Sequence, residues 1–142
     1  MRPLALVLAL LLAGCASSDL GADASPDRVE DTVTLVDYLT DEGFEIRTSG
    51  LTNSTIPIAV TTTFEVTGTA TPATLEVFEF EDAAAAERGL TLLRAEIRPL
   101  VGTDVYTEGP LVVYVRPETY QTGRNARLRA ALFAAFGAPR NS

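Results

Sequence analysis

Histidine, lysine and tryptophan are absent from this 142-residue chain, and cysteine occurs once, at Cys15. Each absence removes a chemistry. Without histidine there is no Ser-His-Asp or Cys-His nucleophilic site. Zinc, copper and non-haem iron sites lean on histidine or free cysteine and lose their usual ligands. Without lysine there is neither a Schiff base nor a P-loop, and no Gly-rich phosphate loop follows a strand. One cysteine cannot form an intrachain disulfide, so the fold must stand on packing. Catalytic, metal and cofactor residues are therefore expected to be absent.

Acidic residues are plentiful. Nineteen Asp and Glu face eleven arginines, for a net charge of −8. That balance argues against nucleic acid, which rewards dense positive charge. It also argues against a polybasic contact with anionic lipid. The simplest reading of the acidity is solubility.

The N-terminus has a distinct layout. Arg2 supplies a positive charge, Leu4 to Ala13 are continuously apolar, and the small residues Ala13 and Gly14 precede Cys15. Charge, apolar run and small-residue cleavage site are the parts of a secretory signal. The run is too short for an ordinary membrane span of about 20 apolar residues. Leu12-Ala13-Gly14-Cys15 resembles the lipobox of bacterial lipoproteins. The resemblance implies cleavage between Gly14 and Cys15. It also implies a thioether-linked diacylglyceryl group on Cys15, with acyl chains of the palmitate kind. Each buried methylene contributes about 0.8 kcal/mol, so two or three chains anchor stably where one does not. Ala16 and Ser17 follow the cysteine rather than aspartate, the inner-membrane retention signal of lipoproteins in two-membrane bacteria. The expected location is thus the cell envelope, at the periplasmic face of the outer membrane if the host has two membranes.

Residues 1–14 are accordingly read as signal peptide and 15–26 as lipidated cysteine plus tether. Residues 27–142 form the globular domain. The tether is small and polar, and a coil of its length spans about 20 Å. A helix is expected from Asp27, with Glu30 at capping-box spacing and a stripe of Val29, Val33, Val36 and Leu39 widened by Leu35 and Tyr38. Gly43 ends it. Phe44–Thr48 alternates as a strand, broken by Ser49-Gly50, and 51–57 form a loop. Ile58–Thr67 alternates most cleanly, with threonines on its open face. Thr74–Phe80 returns after a turn. Its phase is mixed, so it is either buried on both sides or bulged between Val77 and Phe78. Glu81-Asp82 opens an alanine-rich helix with stripe Ala86, Leu90, Leu93 and Ile97, stopped by Pro99. Thr103–Thr107 and Leu111–Val115 form a hairpin around Glu108-Gly109-Pro110. A last helix over 123–136 buries Leu128, Leu132 and Phe136.

The order α-β-β-β-α-β-β-α predicts a single α+β domain. Short connections favour a largely antiparallel five-stranded sheet, with helices packed on one face. Val77–Phe80 running into Asp82–Glu87, then Leu111–Val115 and the final helix, is similar to a group of small bacterial lipoproteins without assigned function. That likeness covers about 74–137 and brings no catalytic residue with it.

Few residues are candidates for a site. Glu76, Glu79, Glu81 and Asp82 are the densest carboxylates, but Glu76 and Glu79 fall on opposite faces of a regular strand, and Glu81 and Asp82 suit a helix start. Asp19, Asp23 and Asp27 lack EF-hand spacing. Asn53-Ser54-Thr55 matches a glycosylation sequon by chance. Tyr106, Tyr114, Arg116 and Tyr120 gather around the hairpin and form the candidate partner surface, because tyrosine and arginine are favoured at interface hot spots. The threonine face of 59–67 is the other. The expected function is a non-enzymatic, lipid-anchored envelope module that binds an envelope protein. Two alternatives are a carboxylate-dependent hydrolase of envelope polymers and a carrier of a small apolar ligand.

Overall fold

A computed structural model describes residues 29–53, 59–68, 72–96, 103–117 and 125–140. In chain order the elements are α1 (Thr32–Asp41), β1 (Glu45–Asn53), β2 (Ala59–Thr67), β3 (Ala73–Phe80), α2 (Ala83–Glu96), β4 (Asp104–Glu108), β5 (Leu111–Pro117) and α3 (Ala126–Phe136). The class, the element order and the five antiparallel strands are those expected from the sequence. Cys15 and its signal, the tether, Asp27, the turn at 69–71, Ile97, Pro99 and Tyr120 lie outside the described residues.

The sheet runs β1-β2-β3-β5-β4, and every neighbouring pair is antiparallel. β3 sits at its centre and is paired without a break on both sides, so there is no bulge between Val77 and Phe78. Its mixed phase comes from burial on two faces. Ala73, Leu75 and Val77 enter one core with Leu35, Leu39, Leu128, Leu132 and Phe136. Phe78 and Phe80 enter a second core with Ala85, Ala86, Leu90 and Leu93. The helices are therefore not all on one face. α1 and α3 cover one side, and α2 covers the other. The physical reason is that Phe78, Phe80, Val112 and Tyr114 all project away from α1 and α3. Burying side chains of that size is worth about 1.5–3 kcal/mol each, which only a second layer can supply.

Helix α1 begins later than the 27–30 pattern suggests. Asp31 is its N-cap and accepts from the Thr34 amide at 2.7 Å, while Thr34 Oγ1 accepts from the Asp31 amide at 3.0 Å. This closes a capping box built from Asp and Thr. The Thr34 amide holds the Asp31 carboxyl below its ordinary pKa. Leu35 and Leu39 form the buried stripe, flanked by Val36 and Tyr38. Val33 lies about 160° round from Leu35 at 100° per residue. It is 67% exposed and not part of the stripe.

Ser49-Gly50 does not break β1. The strand continues to Asn53 and absorbs one residue as a bulge between Thr48 and Gly50. A bulge on an edge strand twists it and discourages pairing with another chain. Asp82 caps α2 by accepting the Ala85 amide at 2.6 Å, and Asn125 caps α3 through the Leu128 amide at 3.0 Å. Glu108 and Leu111 are partners across the two-residue connection Gly109-Pro110, with Gly109 at φ 53°.

Candidate functional site

The hairpin register decides the fate of the expected partner surface. Tyr106 pairs with Val113, and Val105 pairs with Tyr114. The two tyrosines therefore project from opposite faces of the sheet. Each is only 1% exposed. Tyr106 lies against Phe136 of α3, with ring centroids 6.1 Å apart. Tyr114 meets Phe78 edge-to-face at 5.8 Å beneath α2. They are core residues, and the surface drawn around them is corrected accordingly. Among the described members of that group, Arg116 keeps an accessible head, paired with Glu76 at 2.9 Å.

The acidic candidates are likewise dispersed. Glu76 faces the α2 side with Arg116. Glu79 faces the α1 side, where its Oε2 accepts from the Thr32 amide at 3.0 Å and from Thr32 Oγ1. Asp82 is a helix cap, and Glu81 is exposed. No two of these carboxylates converge.

Among the described residues, two regions bring polar side chains together at the surface. The first is the half of the α2-side sheet face that α2 leaves open. Glu45, Arg47 and Glu65 are exposed there, beside half-buried Thr63, Thr74, Glu76 and Arg116. Arg47 faces Glu65 across the β1–β2 pair, and Thr67 Oγ1 donates to Glu45 at 3.2 Å. Thr61, part of the expected threonine face, is buried instead, with its hydroxyl unpartnered among the described residues. The face carries Thr, Glu and Arg side chains.

The second region is a cleft of about 210 Å3 between the start of α2 and the β4–β5 turn, lined by Ala83, Ala86, Glu87, Thr107, Glu108 and Gly109. Its shape comes from small residues on α2 facing the Gly109-Pro110 connection. Glu87 is ion-paired with Arg140, which arrives from beyond α3. The same guanidinium lies 3.5 Å from Thr107 Oγ1. Nothing in the local sequence around Glu87 announces Arg140, 53 residues away. Among the described residues, no three His, Cys, Asp or Glu side chains gather as a metal cluster would.

A third charged group ties α3 to β4. Arg129 donates through Nε and Nη2 to Asp104 Oδ2, and Asp104 is 3% exposed. That hydrogen-bonded carboxylate pushes the Arg129 pKa further up. Burial pushes the hydroxyls of both Tyr106 and Tyr114 above the usual tyrosine value. Tyr114 Oη has no hydrogen-bond partner among the described residues.

The chain matches no protein-family model, no curated protein and no solved structure.

Proposed function

We propose that this protein is a lipid-anchored cell-envelope module with a non-enzymatic binding or structural role. It is held to the membrane through acyl chains on Cys15 and offers its domain to an envelope protein. Where the host has two membranes, its place is the periplasmic face of the outer membrane. The observation that carries the reading is the order Leu12-Ala13-Gly14-Cys15 after an apolar run of signal length. Binding rather than catalysis is supported by the disposition of the carboxylates. Glu76, Glu79, Asp82 and Glu87 are each engaged by a different neighbour.

The test is the mass of the mature N-terminus together with fractionation of Cys15→Ser. The expected mature chain begins at a diacylglyceryl Cys15 and sediments with membranes, and the variant does not. An unmodified Cys15, or a variant that stays in the membrane fraction, overturns the anchor. The hydrolase alternative draws on one observation, that Glu87 and Glu108 line a common cleft. It requires the purified protein to degrade an envelope polymer and Glu87→Gln to stop it.

A further inference from the structure

The segment after α3 crosses from one helical layer to the other over the outer edge of β4. Phe136 ends α3 against Tyr106, on the α1–α3 side. Four residues later the Arg140 amide donates to the Val105 carbonyl of β4 at 2.7 Å. The Arg140 carbonyl accepts from Arg94 Nη2 of α2 at 2.7 Å, and its guanidinium reaches Glu87 of α2 and Thr107 of β4. Gly137 turns the chain at φ 79°, and Pro139 directly precedes the contact. An edge strand presents main-chain groups to any extended chain, and covering it is one way proteins keep it from pairing.

From this we infer that the β4 edge and the adjoining cleft are a docking site for an extended peptide bearing an arginine, and that Gly137–Arg140 is its displaceable, self-supplied occupant. The proposal rests on the reading of the domain as a binding module, but not on its anchor. The strap shows what the site recognises. Its main chain is read by Val105 and Arg94, and its cationic side chain by Glu87 and Thr107. The contacts that Arg140 makes with Glu87, Thr107 and the Arg94 side chain are exposed, and exposed ion pairs hold weakly, so a competing segment can lift it. Addition of a strand to a sheet edge, with main-chain bonds for affinity and side-chain pockets for specificity, is an established mode of peptide binding.

The experiment uses the full chain in detergent and a fluorescent peptide with the sequence of residues 136–142 as probe. Arg140→Pro removes both the amide donor and the guanidinium while leaving the cores untouched. Arg140→Ala removes the guanidinium alone. Circular dichroism verifies that each is folded. An intramolecular competitor lowers apparent affinity by the fraction of molecules it occupies, so Arg140→Pro is expected to bind the probe about tenfold more tightly than the wild type, with Arg140→Ala in between. Adding Glu87→Gln to Arg140→Pro should reverse that gain. Equal binding by wild type and Arg140→Pro, no binding by any form, or binding indifferent to Glu87→Gln overturns the proposal. An unmodified Cys15 would leave it standing.

Discussion

Replacing Gly89 with alanine sets two known effects against each other. Gly89 lies within α2, where glycine costs about 1 kcal/mol relative to alanine, so propensity alone makes Gly89→Ala stabilising. The packing says otherwise. A Cβ at position 89 would stand 2.1 Å from Phe80 Cε1 and 2.2 Å from its Cζ. Ordinary carbon contacts are about 3.5–4.0 Å, so the ring or the helix must move by more than an ångström. Phe80 is 4% exposed and enclosed by the second core, which leaves its ring little room. Overpacking of this kind costs about 1–3 kcal/mol. With the propensity gain offset, Gly89→Ala is expected to destabilise by about 1 kcal/mol. Urea unfolding followed by circular dichroism reads this directly. Ala95→Gly, at an exposed position of α2, calibrates propensity in the same helix and should cost about 1 kcal/mol. Phe80→Leu should make Gly89→Ala tolerable, giving a favourable coupling of about 1 kcal/mol in a double-mutant cycle. A Gly89→Ala protein with a raised midpoint would refute the close approach of α2 to β3, and with it the second core.

Asp104→Ala strands the partly buried Arg129 guanidinium. Breaking a buried pair costs about 3–5 kcal/mol, and the residual exposure of Arg129 places this case at the lower end, near 3 kcal/mol, measurable by the same unfolding assay. A loss below about 1 kcal/mol would mean that the pair is not holding α3 to β4. Tyr114→Phe should raise stability by about 1 kcal/mol, because it deletes a buried hydroxyl without a partner among the described residues. A comparable loss in thermal melts would reveal a partner. Both buried tyrosines have folded pKa values above the ordinary 10.0. Between the unfolded and folded values the unfolded chain releases protons that the folded chain keeps, so stability is intact below pH 10 and falls as pH rises beyond it. Tyr114→Phe should blunt that fall. Asp31 has the opposite sign: its folded pKa lies below 3.8, so its contribution to α1 is present above pH 3.8 and lost as pH falls below it.

Much of the fold was legible because local patterns and tertiary demands agree. The period-two alternation holds over Thr62–Thr67, where Thr62, Phe64 and Val66 are buried, and the continuous apolar Leu111–Val115 is buried throughout; both mark inner strands, although Val60 is exposed and Thr61 buried against the pattern. The side chains at 128, 132 and 136 are buried at helical spacing as read. The failures share a cause, which is that register and layering are set at long range. Ser49-Gly50 looks like a terminator in isolation, yet pairing with β2 carries β1 through it at the cost of one bulged residue. The two phases of β3 did contain the second layer, since a strand apolar on both faces needs cover on both. The tyrosine pair turned on one residue of turn length: a three-residue connection at Glu108-Gly109-Pro110 would put Tyr106 and Tyr114 on one face, but Glu108 pairs with Leu111. A two-residue connection fixes the hairpin register, and that register places Tyr106 and Tyr114 on opposite faces. Gly89 carried a signal too, because a lone glycine in a helical stripe often marks a packing constraint.

The candidate site was less legible than the fold, for a reason visible in its composition. Glu87 belongs to α2, Thr107 to β4 and Arg140 to the segment beyond α3, and they are ordinary surface residues in their own neighbourhoods. Only the decision to place α2 opposite α1 and α3 gives the chain after Phe136 an edge to cross. Had all three helices shared one face, Arg140 could not reach Glu87 and the Val105 carbonyl together, and β4 would stand uncovered on that side. The layering that the phase of β3 demands is thus what creates the strap. A variant that loosens the second core should loosen the strap with it. Leu90→Ala, which removes a buried α2 side chain at a cost of about 2–5 kcal/mol, should therefore speed hydrogen exchange at the Arg140 amide more than the equivalent change at Leu35 in the other core. Equal acceleration by the two variants would separate the strap from the layer.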